Sequence, residues 1–368
     1  MGTIKRLFSN NVTPTGKFDS ADLTGTIPAS NVANASLTNI TSVPATIGDF
    51  VQKVASDPSP VSAGDVWYNT TSNNLKSLVS LAAWSSGSPL NTARYTLTGA
   101  GTQTEGLAFG GFTGTANSGA TEEYNGSGWS NSPATMGTAR YSLGGAGTQI
   151  AALAFGGRSS PGPQLASSES YDGSSWTATP SLGTSRYRLA GAGLQTAALA
   201  FGGNIGVFPT ITLSTATESY NGSTWTAITS MNTGKMNLSG TGTQTAALAM
   251  GGTNPDSAAV ESWNGSSWTT ISSLNTARGT SAAAGTQTAA LMFGNNPSVV
   301  ESYDGTSWVS SPLMATARSF LGGCGLQTAA LGFGGYAPGA STATEEYNVS
   351  SSIITPAAWA SGGNLPTA

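Results

Sequence analysis

One phrase returns six times along this chain, and its period leaves few folds open. Copies begin at Arg94, Arg140, Arg186, Lys235, Arg278 and Arg318, at spacings of 46, 46, 49, 43 and 40 residues. Self-similarity at that period is the length of one four-stranded propeller blade. Each copy opens on a segment such as Arg140–Gly147, passes through Thr148-Gln149 and continues into the apolar Ile150–Phe155, which ends at Gly156-Gly157. Two strands and a short turn account for this half. After a loop of variable length come Glu169-Ser170-Tyr171, the dipeptide Asp172-Gly173 and a last segment led by Trp176. That half reads as a second hairpin.

The small residues have a mechanical meaning in such a ring. Where blades converge on an axis there is no room for large side chains, so Gly99, Ala100, Gly101 and their equivalents read as the innermost strand. Asn125-Gly126, Asp172-Gly173, Asn221-Gly222, Asn264-Gly265 and Asp304-Gly305 supply the positive φ of tight turns between third and fourth strands. The Asn-x-Ser/Thr matches at Asn125, Asn221 and Asn264 follow from this turn chemistry and do not argue for glycosylation. The sixth copy departs: it has Asn348-Val349, and Trp359 stands far from Tyr347, so its last hairpin is expected to be longer or irregular. Aromatic pairs keep step with the repeat, Tyr124/Trp129, Tyr171/Trp176, Tyr220/Trp225, Trp263/Trp268 and Tyr303/Trp308. They read as core, each contributing on the order of 4 kcal/mol to packing one blade on the next.

Charge is scarce, at 8% of residues, and much of it is periodic. Arg94, Arg140, Arg186, Lys235, Arg278 and Arg318 hold one repeat position, and Glu122, Glu169, Glu218, Glu261, Glu301 and Glu345 hold another. The spacing predicts one ion pair per blade. With a net charge of -4 and no basic stripe, nucleic-acid binding has no support. There is no histidine, and Cys324 is the sole cysteine, so neither an internal disulfide nor a Cys/His metal site is expected, and no cofactor is implied. No stretch reaches the roughly 20 apolar residues of a membrane helix, and, with no apolar run after Lys5-Arg6, a secretory signal peptide is not expected.

A Gly-Gly doublet closing the second strand, then Glu-x-Tyr, then Trp, resembles the kelch repeat. The resemblance spans residues 88–368, with Met250 and Asn295 replacing the usual Phe and second Gly in two copies. It implies an all-β fold, a six-bladed kelch-type β-propeller whose strands run from innermost to outermost in chain order. Two terminal stretches echo each other, Ala82–Gly87 and Ala357–Gly362. One of them completes the sixth blade as its outer strand; the other sits outside the ring or builds part of a seventh blade.

Residues 1–87 differ in kind. Polar and broken by Pro14, Pro28, Pro44, Pro58 and Pro60, they read as an extended anchoring arm with a short β segment. Within it, Ser20–Ser30 and Gly64–Lys76 resemble segments of bacteriophage tail-fibre and other virion proteins, as does the recurring Gly-Thr-Gln-Thr-Ala-Ala-Leu of the repeats. This resemblance implies a virion component assembled in the host cytoplasm. Its arm would dock other virion proteins at tail, baseplate or capsid, and its propeller would be displayed outward for host attachment, with host-surface carbohydrate as the natural ligand. Homo-oligomer formation stays open, since no heptad or collagen repeat fixes a trimer. The alternative is an intracellular kelch protein-interaction scaffold.

An enzyme is not expected. Copper-radical oxidases built on kelch propellers need histidine ligands, which this chain lacks. A glycosidase needs two facing carboxylates. Beyond the periodic glutamates and the turn residues Asp172 and Asp304, the repeats offer Glu105, Glu123, Asp256 and Glu346, which read as solvated surface charges. A ligand-binding face is expected on the variable loops between second and third strands, with Phe112, Arg158, Phe208, Asp256 and Tyr336 as its residues.

Overall fold

The computed structural model describes residues 52–59, 65–72, 74–207, 210–295 and 297–354, and every regular element among them is a β-strand. The chain divides into two units, one spanning Ala82–Val349 and a smaller one holding the residues up to Leu81 and from Ser350 onward.

In the smaller unit, β1 (Gln52–Val54) pairs parallel with β2 (Val66–Asn69), which pairs antiparallel with the start of β3 (Asn74–Gly87). One carboxylate ties this hairpin together. Asp57 accepts hydrogen bonds from Lys76 Nζ (2.8 Å), Asn69 Nδ2 (2.8 Å) and Trp67 Nε1 (3.0 Å). The Lys76 bond is the largest of the effects that hold the Asp57 carboxyl down at about 2. Trp67 and Leu78 are buried, so this segment has a small core of its own.

The larger unit repeats one plan. The first blade is β4 (Thr98–Gly101), β5 (Gly106–Phe109), β6 (Thr121–Tyr124) and β7 (Trp129–Asn131). The second is β8 (Gly144–Gly147), β9 (Ala152–Phe155), β10 (Ser168–Tyr171) and β11 (Trp176–Thr179). The third is β12 (Ala190–Leu194), β13 (Ala197–Phe201), β14 (Thr217–Tyr220) and β15 (Trp225–Ile228). The fourth is β16 (Ser239–Gly242), β17 (Ala247–Met250), β18 (Val260–Trp263) and β19 (Trp268–Ile271). The fifth is β20 (Ala282–Gly285), β21 (Ala290–Phe293), β22 (Val300–Tyr303) and β23 (Trp308–Ser311). Each is an antiparallel sheet in chain order, and the first strands of neighbouring blades lie side by side around the axis. Their small residues permit this approach: a Cβ on Gly191 would stand 2.4 Å from the Gly145 carbonyl oxygen of the preceding blade.

The sixth blade takes β24 (Gly322–Leu326), β25 (Ala329–Phe333) and β26 (Thr344–Ile354), and its outer strand is Ala82–Gly87 from β3. Since β24 lies beside β4, the ring closes at six and the unit is a six-bladed β-propeller. The N-terminal member of the two echoing stretches is therefore the closing strand. Trp84 takes the place that the outer-strand tryptophan holds elsewhere, 5.2 Å from Tyr347 and 5.1 Å from Phe293 of the fifth blade. Among the described residues no turn follows Tyr347, where a longer hairpin was expected. β26 runs straight on through Asn348-Val349, which lacks the glycine that turns the chain at Gly126 (φ +85) and its equivalents. The other stretch, Ala357–Gly362, lies outside the described residues.

The core sits between blades rather than within them. One hydrophobic cluster fills each of the six interfaces; between the first two blades it joins Leu107 and Phe109 to Met136, Leu143, Ala154 and Tyr171, with Trp176 packed against them. The third-to-fourth turns also differ in detail from a two-residue hairpin. They are four residues long, and the Asn or Asp works through its side chain: Asn125 Oδ1 accepts from the backbone N–H groups of Ser127 (3.0 Å) and Gly128 (2.9 Å). Asp172 does the same for Ser174 and Ser175, and those bonds hold its carboxyl near 2.

Polar bonds stitch the ring at two further positions. Arg94 meets Glu122 at 2.9 Å, Arg186 meets Glu218 at 2.9 Å, Arg318 meets Glu345 at 2.9 Å and Lys235 meets Glu261 at 3.6 Å; Arg140 and Arg278 contact Glu169 and Glu301. All twelve side chains are buried. The glutamates also accept backbone N–H groups, Asn91 to Glu122 (2.6 Å) for one, while Arg94 donates to the carbonyls of Gly110 (2.9 Å) and Ala120 (2.7 Å). At Arg94, Arg140, Arg186 and Arg318 the pair thus fastens the turn entering a blade to the end of its second strand and the start of its third. Burial lowers the Arg94 pKa, and the charge of Glu122 opposes that shift. A second stitch is one glutamine per blade: Gln149 donates to the carbonyls of Gly106 (3.1 Å) and Tyr124 (2.6 Å) on the preceding blade, Gln103, Gln195 and Gln327 likewise reach two carbonyls, and Gln244 and Gln287 reach one carbonyl, at Tyr220 and Trp263, and a serine hydroxyl.

Lys235 is the weak member of its set, with a single carbonyl partner, Ala259 at 3.0 Å, and the longest carboxylate distance. Lys235→Arg restores the two-carbonyl fork and is expected to raise Tm by about 2–4 °C, the effect of roughly one added hydrogen bond in a domain of this size. A lower Tm in a thermal melt would show that the site has no room for the guanidinium.

Candidate recognition face

In a four-stranded antiparallel blade, the second-to-third loop and the connection into the next blade leave from the same end of the ring. That end carries the variable residues. Just before each innermost strand, two residues after the repeated Arg or Lys, stand Thr96, Ser142, Arg188, Asn237, Thr280 and Phe320. All six have left-handed φ, from 51° at Thr96 to 58° at Arg188 and Thr280. Only Asn takes this conformation readily; for the others it costs roughly 1–2 kcal/mol each. A closed hydrogen-bond circle holds them there. The N–H of Ser142 donates to the carbonyl of Thr96 (2.8 Å), Arg188 to Ser142 (2.7 Å), Asn237 to Arg188 (2.9 Å), Thr280 to Asn237 (2.9 Å), Phe320 to Thr280 (2.7 Å) and Thr96 to Phe320 (2.8 Å). Each blade is bonded to the one before it and none is left over. These six residues rim an axial cavity of about 150 Å³ whose floor is the glycine- and alanine-rich innermost strands.

A second tier surrounds the first. Phe112, Arg158 and Tyr336 each follow a Gly-Gly doublet and bridge to the residue after the repeated Arg, at Tyr95, Tyr141 and Ser319 respectively. The rings form a continuous band: Tyr336 to Tyr95 (5.3 Å), Tyr95 to Phe112 (5.7 Å) and Phe112 to Tyr141 (5.6 Å). Burial, with Tyr336 and Tyr141 nearby, pushes the Tyr95 hydroxyl pKa up. The band continues as Arg158 and Arg188, whose guanidinium carbons lie 5.7 Å and 5.4 Å from the Tyr187 ring centre. Asn204 is the third-blade counterpart of Phe112, and its amide donates to the Tyr187 hydroxyl at 2.9 Å. Asp256 stands in an exposed turn beyond Thr253 and takes no part in the aromatic band. Phe208 lies outside the described residues.

The structure therefore brings Phe112, Arg158 and Tyr336 onto one surface and adds residues that sequence reasoning passed over: Tyr95, Tyr141, Tyr187 and the axial six. Their signal was present as a column that changes from copy to copy inside an otherwise repetitive phrase. Two of the remaining carboxylates are not solvated surface charges. Glu123 accepts from the Tyr171 hydroxyl (2.6 Å) and Glu346 from that of Tyr124, each across a blade interface. Among the described residues no three His, Cys, Asp or Glu side chains gather to hold a metal ion. Cys324 lies in the core, where burial pushes its thiol up to about 12 and keeps it neutral. A scan of protein-family models and a search of curated proteins each find no match to this chain.

Proposed function

We propose that this chain is a non-catalytic structural component of a bacteriophage particle, built on kelch-type repeats. Its N-terminal segment docks to tail, baseplate or capsid, and its propeller presents the loop face outward to host-surface carbohydrate. The observation that carries this reading is the contrast within the loop face. Twelve buried charges and a closed backbone circle hold one geometry in every blade, while the side chains displayed on it differ from blade to blade. A frame that is constant where it is hidden and varied where it is shown suits recognition. Support for the particle comes from the resemblance of Ser20–Ser30 and Gly64–Lys76 to tail-fibre segments.

Mass spectrometry of purified particles, with antibodies against the propeller applied under the electron microscope, tests the assignment. Stoichiometric presence with label at one defined site is expected. Absence from particles would transfer the chain to the class of intracellular interaction scaffolds.

A further inference from the structure

We infer that the axial mouth of the loop face is a subsite for the carboxylate of an acidic sugar, an assignment that rests on the reading of this face as a carbohydrate-recognition surface. The rim residues are Thr96, Ser142, Arg188, Asn237, Thr280 and Phe320, and no acidic residue lines the cavity. Thr96 Oγ1 donates to the Tyr95 carbonyl (2.6 Å), Asn237 Nδ2 to Thr253 Oγ1 (2.8 Å) and Thr280 Oγ1 to Asn295 Oδ1 (3.5 Å), so the neutral groups offer chiefly acceptor oxygens. The balance of these groups is that of a sugar bearing one negative charge. Neutral acceptor oxygens match ring hydroxyls, an aromatic face covers C–H bonds, and a single planar fork matches a single carboxylate.

Arg188 differs from the arginines of the frame. Those are each paired with a glutamate, whereas among the described residues Arg188 meets no carboxylate. The one hydrogen bond its guanidinium makes there is a weak contact from Nη1 to Met236 Sδ at 3.8 Å; its Nε, like those of Arg94, Arg186, Arg278 and Arg318, is buried with no hydrogen-bond partner, so what sets Arg188 apart is its free Nη groups. Packing against Tyr187 and Met236 holds the group at the rim with its bonding capacity largely unspent. Desolvated donors of this kind gain most from an ionised acceptor. The cavity, about 150 Å³, holds a few waters' worth of volume, so it suits the end of a chain rather than its middle. The aromatic band of Tyr336, Tyr95, Phe112 and Tyr141 then lies alongside for the sugars that follow.

The test is an array of neutral, carboxylated and phosphorylated oligosaccharides probed with the full chain, followed by titration of the best carboxylated member and its carboxyl-reduced counterpart. The paired variants are Arg188→Asn and Phe320→Asn. Asn already occupies this position at Asn237 with φ 53°, so both are expected to fold. The expected result is preference for carboxylated termini, a loss of about tenfold or more in affinity on carboxyl reduction or in Arg188→Asn, and no further loss when the two are combined. Equal binding by wild type and a folded Arg188→Asn, preference for phosphorylated sugars, or binding to no carboxylated member would each overturn the assignment. The particle experiment is independent: a chain found in virions that ignores carboxylated sugars sinks this inference alone.

Discussion

Arg140→Ala melts roughly 10 °C below the parent chain, whereas Arg158→Ala melts within about 2 °C of it. The two arginines sit eighteen positions apart in one repeat and differ in what surrounds them. Arg140 is fully buried against Glu169 and also donates to the carbonyls of Ser167 (2.6 Å) and Gly156 (3.2 Å). Removing it strands a buried carboxylate and two carbonyls, a change worth about 3–5 kcal/mol. Arg158 is half-buried, lies over the Tyr187 ring and donates from Nε to the Gly162 carbonyl at 3.4 Å; these are surface contacts, so its loss costs little. Because the penalty comes from the partner left behind, the double change Arg140→Met with Glu169→Leu recovers much of the lost stability. Equal melting of the two single variants would remove the ion pairs from any account of how the ring is held.

A chain of residues 88–354 fails to form a stable propeller, while a chain of residues 82–354 folds. The difference is six residues, Ala82–Gly87, which supply the outer strand of the sixth blade. Without them the face of Phe293 and Tyr347 against which Trp84 packs is opened to water. Losing a tryptophan from such a site costs about 3–5 kcal/mol before the strand's hydrogen bonds are counted. The open edge of β26 would then invite pairing between copies. Circular dichroism and size-exclusion chromatography on the two chains decide the matter. If 88–354 is monomeric and melts with 82–354, the N-terminal strand is dispensable and closure must be assigned elsewhere.

The ring itself was legible in the sequence because its determinants are periodic. A glycine-rich inner strand, an apolar second strand, Glu-x-Tyr and Trp recur at a blade's length, and each is demanded by a different packing constraint at the same radius. Closure was only half legible. Ala82–Gly87 and Ala357–Gly362 share the pattern Ala-Ala-Trp-x-Ser-Gly, so local chemistry does not say which one pairs with β26. The axial six were legible as a variable column but not in their conformation. A left-handed φ is announced by Gly or Asn, and here Thr, Ser, Arg and Phe adopt it because the circle of carbonyls requires it. The same holds for the glutamines: Gln149 reads as a turn residue until the neighbouring blade brings Tyr124 O within reach. The outer tier fell in between. Phe112, Arg158 and Tyr336 stood out as large side chains in variable loops, but their partners Tyr95, Tyr141 and Tyr187 looked like part of the repeat.

The closing strand also sets when this molecule can exist. Ser85 and Glu346 meet in the finished ring although 261 positions separate them along the chain. At a synthesis rate of about 5–20 residues per second, tens of seconds pass between their emergence from the ribosome. For all that interval the strand Ala82–Gly87 has no edge to join, and the growing stack of blades has one sticky end. Completion is therefore an event of the last repeat, and a message truncated shortly before Thr344 yields blades without a ring.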